Sequence, residues 1–325
     1  MGWSEAAPFH SPTYLDESAG SVFYNVSKIF GPHVVGREYD TAAHLNKRLS
    51  IFKGNSFAKA AIEIAWWTLQ SAITGTPLHR LLGGHARELP MGAAFDVQPT
   101  IDALLAKIQG AVDQGYPRIK LKAAPGWDLE MLRAVRAAFP KTTFHIDCNS
   151  GYTLDDLPLF KAMDSLGLVF IEQPLHYADI LDHAELARSI QTPVCLDESI
   201  VSVKAAQQAL QIGACKYINI KPSRIGGLAN ALAVHNMAAD AGVPVWIGGM
   251  VESGIAISIS LELATLPNFT YPGDLAPPAR FFKDDLADSP PQMSSSLTMS
   301  PATGRLPGPN PGRLAELTKC HETVK

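Results

Sequence analysis

Five ionisable residues recur near the ends of short apolar runs at an almost constant interval. They are Lys122 in RIKLK, Asp147 in TFHID, Glu172 in LVFIE, Asp197 in PVCLD and Lys221 in YINIK, separated by 25, 25, 25 and 24 residues. That interval is the length of a strand, a loop, a helix and a return loop. A charge returning once per βα unit, always where the strand gives way to its loop, is what a parallel (β/α) barrel with one active-site mouth requires. Charges on solvated helix faces have no reason to keep that phase.

The surrounding sequence supplies the rest of the rhythm. MGAAFDV reads as a first strand, and strand patterns follow at 117–123, 142–148, 168–173, 192–198, 216–221, 243–248 and about 268–272. Between them lie apolar residues at helical spacing, such as Ile101, Leu104, Leu105, Ile108 and Val112, or Val203, Ala206 and Leu210. Eight strands alternating with helices predict an α/β fold with a modified (β/α)8 barrel over residues 89–280. The first 88 residues read as a small α+β region. Its clearest helix is FAKAAIEIAWWTLQSAI, with Ile62, Trp66, Leu69 and Ile73 on one buried face and Asn55 or Ser56 as cap. Residues 281–325 are rich in proline and turns and are expected to return to the first region or the mouth.

Composition excludes several classes. A net charge of −4 leaves no basic footprint for nucleic acid. No apolar stretch reaches the ~18 residues of a membrane span. MGWSEAAPFH lacks a basic-then-apolar signal pattern, so a cytoplasmic location is expected. Four cysteines without a CxxC pair read as reduced thiols.

Strand alternation decides which side chains share the barrel interior. Lys120 and Lys122 fall on one face and Ile119 and Leu121 on the other, while Asp147 goes with His145, Glu172 with Phe170, and Asp197 with Cys195. Three carboxylates converging from successive strands would repel one another unless a cation joins them. An all-oxygen set selects a hard divalent ion, Mg²⁺ or Mn²⁺. The alternative is an ion-pair network in which the lysines neutralise the acids without metal. A divalent cation with lysines on both flanks suits removal of a proton alpha to a carboxylate, because the ion stabilises the enediolate that forms.

In these motifs the chain resembles the enolase superfamily, within its muconate-cycloisomerase-like subgroup. The motifs are KLK (Lys120 and Lys122), HIDCN, IEQP, LDES and NIKPSRIGG. RIKLKAAPGWD, IQTPVCLDESI, GGMVESG and LPNFTYPGD are most similar to the o-succinylbenzoate synthase/N-acylamino acid racemase branch. The resemblance implies Mg²⁺ on Asp147, Glu172 and Asp197. It implies Lys122 as the base, tuned by Lys120, and Lys221 as the second acid/base or as a stabilising cation. It places a substrate tail against Gly248, Gly249 and Met250, with Asn149, Glu198 and Arg224 supporting the site. It further implies a small carboxylate substrate, a homo-oligomer and a partial capping domain over 1–88, which the chain enters midway. Ala94 and Asp96 in the first strand depart from the small hydroxyl and glycine usual there. Muconate cycloisomerase and dipeptide epimerase activities use related sets, although Asp274 stands without the second aspartate of the epimerase pattern. A metal-binding but inactive relative is the alternative of another class.

Overall fold

The computed structural model describes all 325 residues. Nine strands form: β1 (Leu89–Pro90), β2 (Ala93–Phe95), β3 (Ile119–Lys122), β4 (Phe144–Asp147), β5 (Ile171–Glu172), β6 (Val194–Leu196), β7 (Tyr217–Ile220), β8 (Val245–Ile247) and β9 (Thr298–Met299). β2 to β8 make one parallel sheet in chain order, while β1 and β9 pair antiparallel. Each sheet strand is followed by a helix, for example Ile101–Gln114 after β2 and Val203–Ile212 after β6. The starts of these helices are set by Thr100 and Ser202, whose side chains accept first-turn N–H groups, and their ends by Gly115 and Gly213 at positive φ. Ile119, Leu121, Ile146 and Ile218 point outward into the core shared with the helices.

The expected eighth strand forms only isolated bridges. Segment 268–274 bridges Val245 through Phe269, Gly248 through Asp274 and Met91 through Gly273, so it is bonded to both edges of the sheet. Thr270 N–H donates to Val245 O at 3.2 Å, and Gly92 N–H donates to Gly273 O at 2.9 Å. Pro272 lacks the N–H of a regular ladder residue. At Gly273 a Cβ would lie 2.8 Å from Ile247. The ring therefore closes through a proline-glycine segment.

The first 88 residues contain no strand, unlike the α+β reading. Helices Ala19–Tyr24, Gly31–Val34, Ala42–Leu49 and Ser56–Thr74, with the π-helical turn Asn25–Phe30, carry this region. The extended residues before them satisfy polar groups through individual bonds, such as Thr68 Oγ1 donating to Trp3 O at 2.7 Å. Helix Ser56–Thr74 also corrects its expected face. Phe57, Ala60, Glu63 and Ile64 are buried, Ile62, Trp66 and Leu69 are half-buried, and Ile73 is 68% exposed. Its N-terminus is satisfied by Glu17, a distant carboxylate that accepts from Phe57 and Ala58 N–H. Asn55 takes the cap position, but its side chain bonds Asn25 and Lys53 O rather than the helix N–H groups. No helix is long and apolar enough to cross a membrane.

Candidate active site

Parallel register builds the mouth in layers. Lys122 pairs with Asp147, Asp147 with Glu172 and Glu172 with Cys195, so these four residues lie level across β3 to β6. Asp197 is two residues beyond Cys195 and therefore one layer nearer the mouth. Cys195 packs with Phe170 and Trp246 into a fully buried floor, with Tyr217 and Tyr271 against it. His145 stacks on Phe170, their ring centroids 4.4 Å apart, and burial pulls its pKa down to about 4. A neutral aromatic floor thus carries a charged upper layer.

That layer is an ion-pair network. The Lys120 ammonium lies 2.9 Å from Asp147 Oδ2, 2.9 Å from Glu172 Oε2 and 3.4 Å from Asp274 Oδ2. Lys122 lies 2.8 Å from Asp147 Oδ2 and also donates to Asn149 Oδ1. Asn149, held at φ 42°, donates in turn to Glu198 Oε1 at 2.8 Å. Burial opposes the charge on Asp147 and Glu172, but the lysines prevail and hold both carboxyls below their ordinary values. Burial likewise pushes Lys120 down, and Asp147, Glu172 and Asp274 outweigh it, leaving its pKa well above the usual lysine range.

Asp197 sits in a second knot. It pairs with Lys221 at 2.8 Å and with Arg224, and it accepts from Tyr14 Oη at 3.1 Å. Tyr14 receives hydrogen bonds from both Lys221 Nζ and Arg224 Nη1 at 3.0 Å. Burial lowers the Lys221 pKa, but Tyr14 and Glu198 raise it above its ordinary value. Lys120 and Lys221 are thus both held in the charged form by the groups around them.

A cleft of about 550 Å³ opens above these residues. Lys120, Lys122, Asp147, Asn149, Glu198, Lys221, Gly249 and Met250 line it, together with Phe9, Thr13 and Tyr14 from the N-terminal segment. Glu172, Asp197, Arg224 and Gly248 lie outside its lining. A Cβ at Gly248 would meet the Asn219 side chain at 2.2 Å, so this glycine serves close packing rather than the cleft wall. Lys122 is the most open of the three lysines, its side chain 31% exposed against 6% for Lys120 and 10% for Lys221.

The residues suit a hard cation in chemistry while their present pairing keeps them apart. No three His, Cys, Asp or Glu side chains are gathered into a ligand group, because Lys120 bridges Asp147 and Glu172 while Arg224 and Lys221 hold Asp197. Yet Glu198 Oε2 is buried without a hydrogen-bond donor, and Glu172 Oε2 faces only the Lys120 ammonium at 2.9 Å and His145 Nε2 at 3.6 Å. An orphaned Glu198 oxygen close to the Asp147 and Glu172 carboxylates is a fit for an oxygen-preferring divalent ion.

Several contributors carried no sequence signal of their own. Gln173, at φ 39°, accepts from Asp197 and Ser199 N–H and fixes the loop after β6. Asn219 donates to Glu172 Oε1 at 2.8 Å. Both adjoin motif residues, in IEQP and NIK, and strand alternation alone would have aimed Asn219 inward. Tyr14 arrives from 183 residues before Asp197, and nothing local marks it.

Comparison with known proteins agrees with this geometry. Residues 1–83 match the mandelate racemase/muconate lactonizing enzyme N-terminal domain, and residues 103–305 the enolase C-terminal domain-like family. The chain is 41% identical over 287 residues to N-succinylamino acid racemase of Thermus thermophilus, covering 88% of this chain and 78% of that protein. It is 41% identical over 285 residues to o-succinylbenzoate synthase of Bacillus subtilis, covering 88% and 76%. A solved enolase-superfamily structure from Listeria innocua superposes with a TM-score of 0.93 at 33% identity, covering 98% of this chain and 86% of that one.

Proposed function

Since the chain belongs to the enolase superfamily, we propose that it removes a proton alpha to a carboxylate, as an o-succinylbenzoate synthase, an N-succinylamino acid racemase, or both. The ring of βα units is read as a modified (β/α)8 barrel. The observation that carries the reading is the placement of Lys122 on β3 and Lys221 after β7, with three carboxylate-bearing strands between them and one cleft above both. Asp147, Glu172 and Asp197 would hold Mg²⁺, with Glu198 beside them. The ion would supply fixed positive charge against the charge that builds on the substrate carboxylate as its α-proton leaves.

The protein's own residues divide the remaining work. Lys122, the open lysine, takes the α-proton once its Asp147 partner is engaged elsewhere. In racemisation Lys221 delivers a proton to the opposite face of the same carbon, so one C–H bond breaks and one forms. In dehydration the leaving hydroxyl departs as water with the proton taken by Lys122, and Lys221 stays protonated beside the developing charge, a role its raised pKa favours. Five carboxylates at the mouth (Asp147, Glu172, Asp197, Glu198, Asp274) meet five cations (Lys120, Lys122, Lys221, Arg224, Arg118). A divalent ion added to that balance leaves the cleft positive, as an anionic substrate requires. Phe9, Thr13 and Tyr14 limit water above it.

The test is proton NMR in D₂O with Mg²⁺, following the α-proton of N-succinyl amino acids, beside an assay for o-succinylbenzoate formation. Signal loss or product that disappears with EDTA supports the reading. Silence in both assays with Mg²⁺ bound sinks it.

A further inference from the structure

Lys120 occupies ground that a divalent cation would also claim. Of the three carboxylates around its ammonium, Asp147 and Glu172 are the proposed magnesium ligands and Asp274 is not. Asp274 belongs to the segment that closes the ring. Its Oδ1 accepts from Arg118 Nη2 at 3.1 Å, leaving Oδ2 toward Lys120. Arg118 is fully buried and also donates to Ala93 O at 3.1 Å, Pro272 O at 3.3 Å and Gly273 O at 2.7 Å. Asp274 is therefore anchored to the closing seam whether or not Lys120 contacts it. The ring of Trp246, 5.3 Å from the ammonium, offers a further surface that tolerates the charge.

An ammonium and a divalent ion on the same oxygens repel strongly in a buried setting. We propose that Asp274 is the station to which Lys120 transfers its charge when a divalent cation enters the mouth. Lys120 neutralises Asp147 and Glu172 in the arrangement described; were those oxygens given over to a divalent ion, the ammonium would shift to Asp274 Oδ2. Asp274 is in this sense a positioning residue that acts through Lys120. The inference rests on Asp147 and Glu172 being magnesium ligands.

The experiment is Mg²⁺ titration calorimetry on the full chain, with circular dichroism as the folding control. Lys120→Gln removes the competitor and is expected to tighten Mg²⁺ binding at least about ten-fold. Asp274→Asn keeps an acceptor for Arg118 but removes the station. It is expected to weaken binding about ten-fold with Lys120 present and less than about three-fold in the Lys120→Gln background. Equal weakening in both backgrounds, or no tightening from Lys120→Gln, overturns the proposal, and the second criterion stands even if Asp274→Asn fails to fold. Glu172→Gln separates the two readings. Loss of Mg²⁺ binding in Glu172→Gln, with no gain in Lys120→Gln, defeats only the Lys120 proposal. A wild-type chain that binds no Mg²⁺, or a Glu172→Gln variant that binds it unchanged, defeats both.

Discussion

Buried carboxylates are held by opposite means in two parts of this molecule. At the mouth, burial disfavours the charge on Asp147, Glu172 and Asp274, yet lysine and arginine side chains overcome it and all three titrate below their ordinary values. Along the seam, Glu63, Glu17 and Glu5 accept backbone N–H groups at helix starts, Glu63 and Glu5 reaching from the N-terminal region to the barrel and Glu17 acting within the N-terminal region. Glu63 takes Leu228 N–H at 2.7 Å and Ala229 N–H at 2.9 Å, and Glu5 takes Ser253 N–H at 2.9 Å. There burial prevails and all three are raised, Glu63 to about 7. An amide donor fixes a carboxyl's position whatever its charge, whereas an ion pair keeps the charge and can exchange its partner. The seam is built to stay still. The mouth is built to be re-partnered, and Glu63 joins the two because it seats the helix that starts seven residues after Lys221.

The largest expected effect lies at the mouth. Lys122→Ala and Lys221→Ala should each lower racemase turnover by about 10³-fold or more, within the range for lost general acid–base catalysis. Retained turnover in either variant breaks the division of labour between the two lysines. Next comes the seam. Glu63→Ala should cost about 3 kcal/mol in denaturant unfolding, since it orphans two buried helix N–H groups and the Trp67 indole N–H, which donates at 2.8 Å. A cost below about 1 kcal/mol would mean that water replaces the carboxylate and the seam is not sealed. Asp197→Asn should then weaken Mg²⁺ by about 10-fold to 100-fold in calorimetry. An unchanged titration would assign Asp197 to Arg224 and Tyr14 for good and leave Glu198 as the third oxygen donor.

The same contrast explains what could be read in the sequence. The mouth was legible because strand residues obey a period of two and βα units a period near 25, so Lys122, Asp147 and Glu172 could be placed in one layer from spacing alone. The seam follows no period. Glu63 lies on the buried face of its helix, where an apolar count reads past it to Ile62 and Trp66, and its partners Leu228 and Ala229 stand 165 and 166 residues away. Tyr14 and Glu17 were hidden for the same reason. Even at the mouth, spacing gives the layer and not the partner: Asp197 belongs to the set by phase, but its offset of one layer delivers it to Lys221 and Arg224.

The pH dependence of stability discriminates the two regions most finely. Glu63 has its folded pKa raised from the ordinary 4.5 to about 7 by burial, which its hydrogen bonds only partly offset. Between those values the folded chain keeps a proton that the unfolded chain has released, so stability falls as pH rises through the window and is unaffected below it. Glu63→Gln imitates the protonated carboxyl at every pH. Its melting temperature relative to wild type should therefore climb between about pH 4.5 and 7, by roughly 5 °C. Asp274→Asn should behave in the opposite sense. The stability that Asp274 contributes is already present above its ordinary 3.8 and is lost only as pH falls below it, so its deficit stays flat across the same window. Parallel melting curves for wild type and Glu63→Gln would mean that Glu63 is ionised throughout, and that the helix dipole at Leu228 neutralises it as effectively as Lys120 does Asp147.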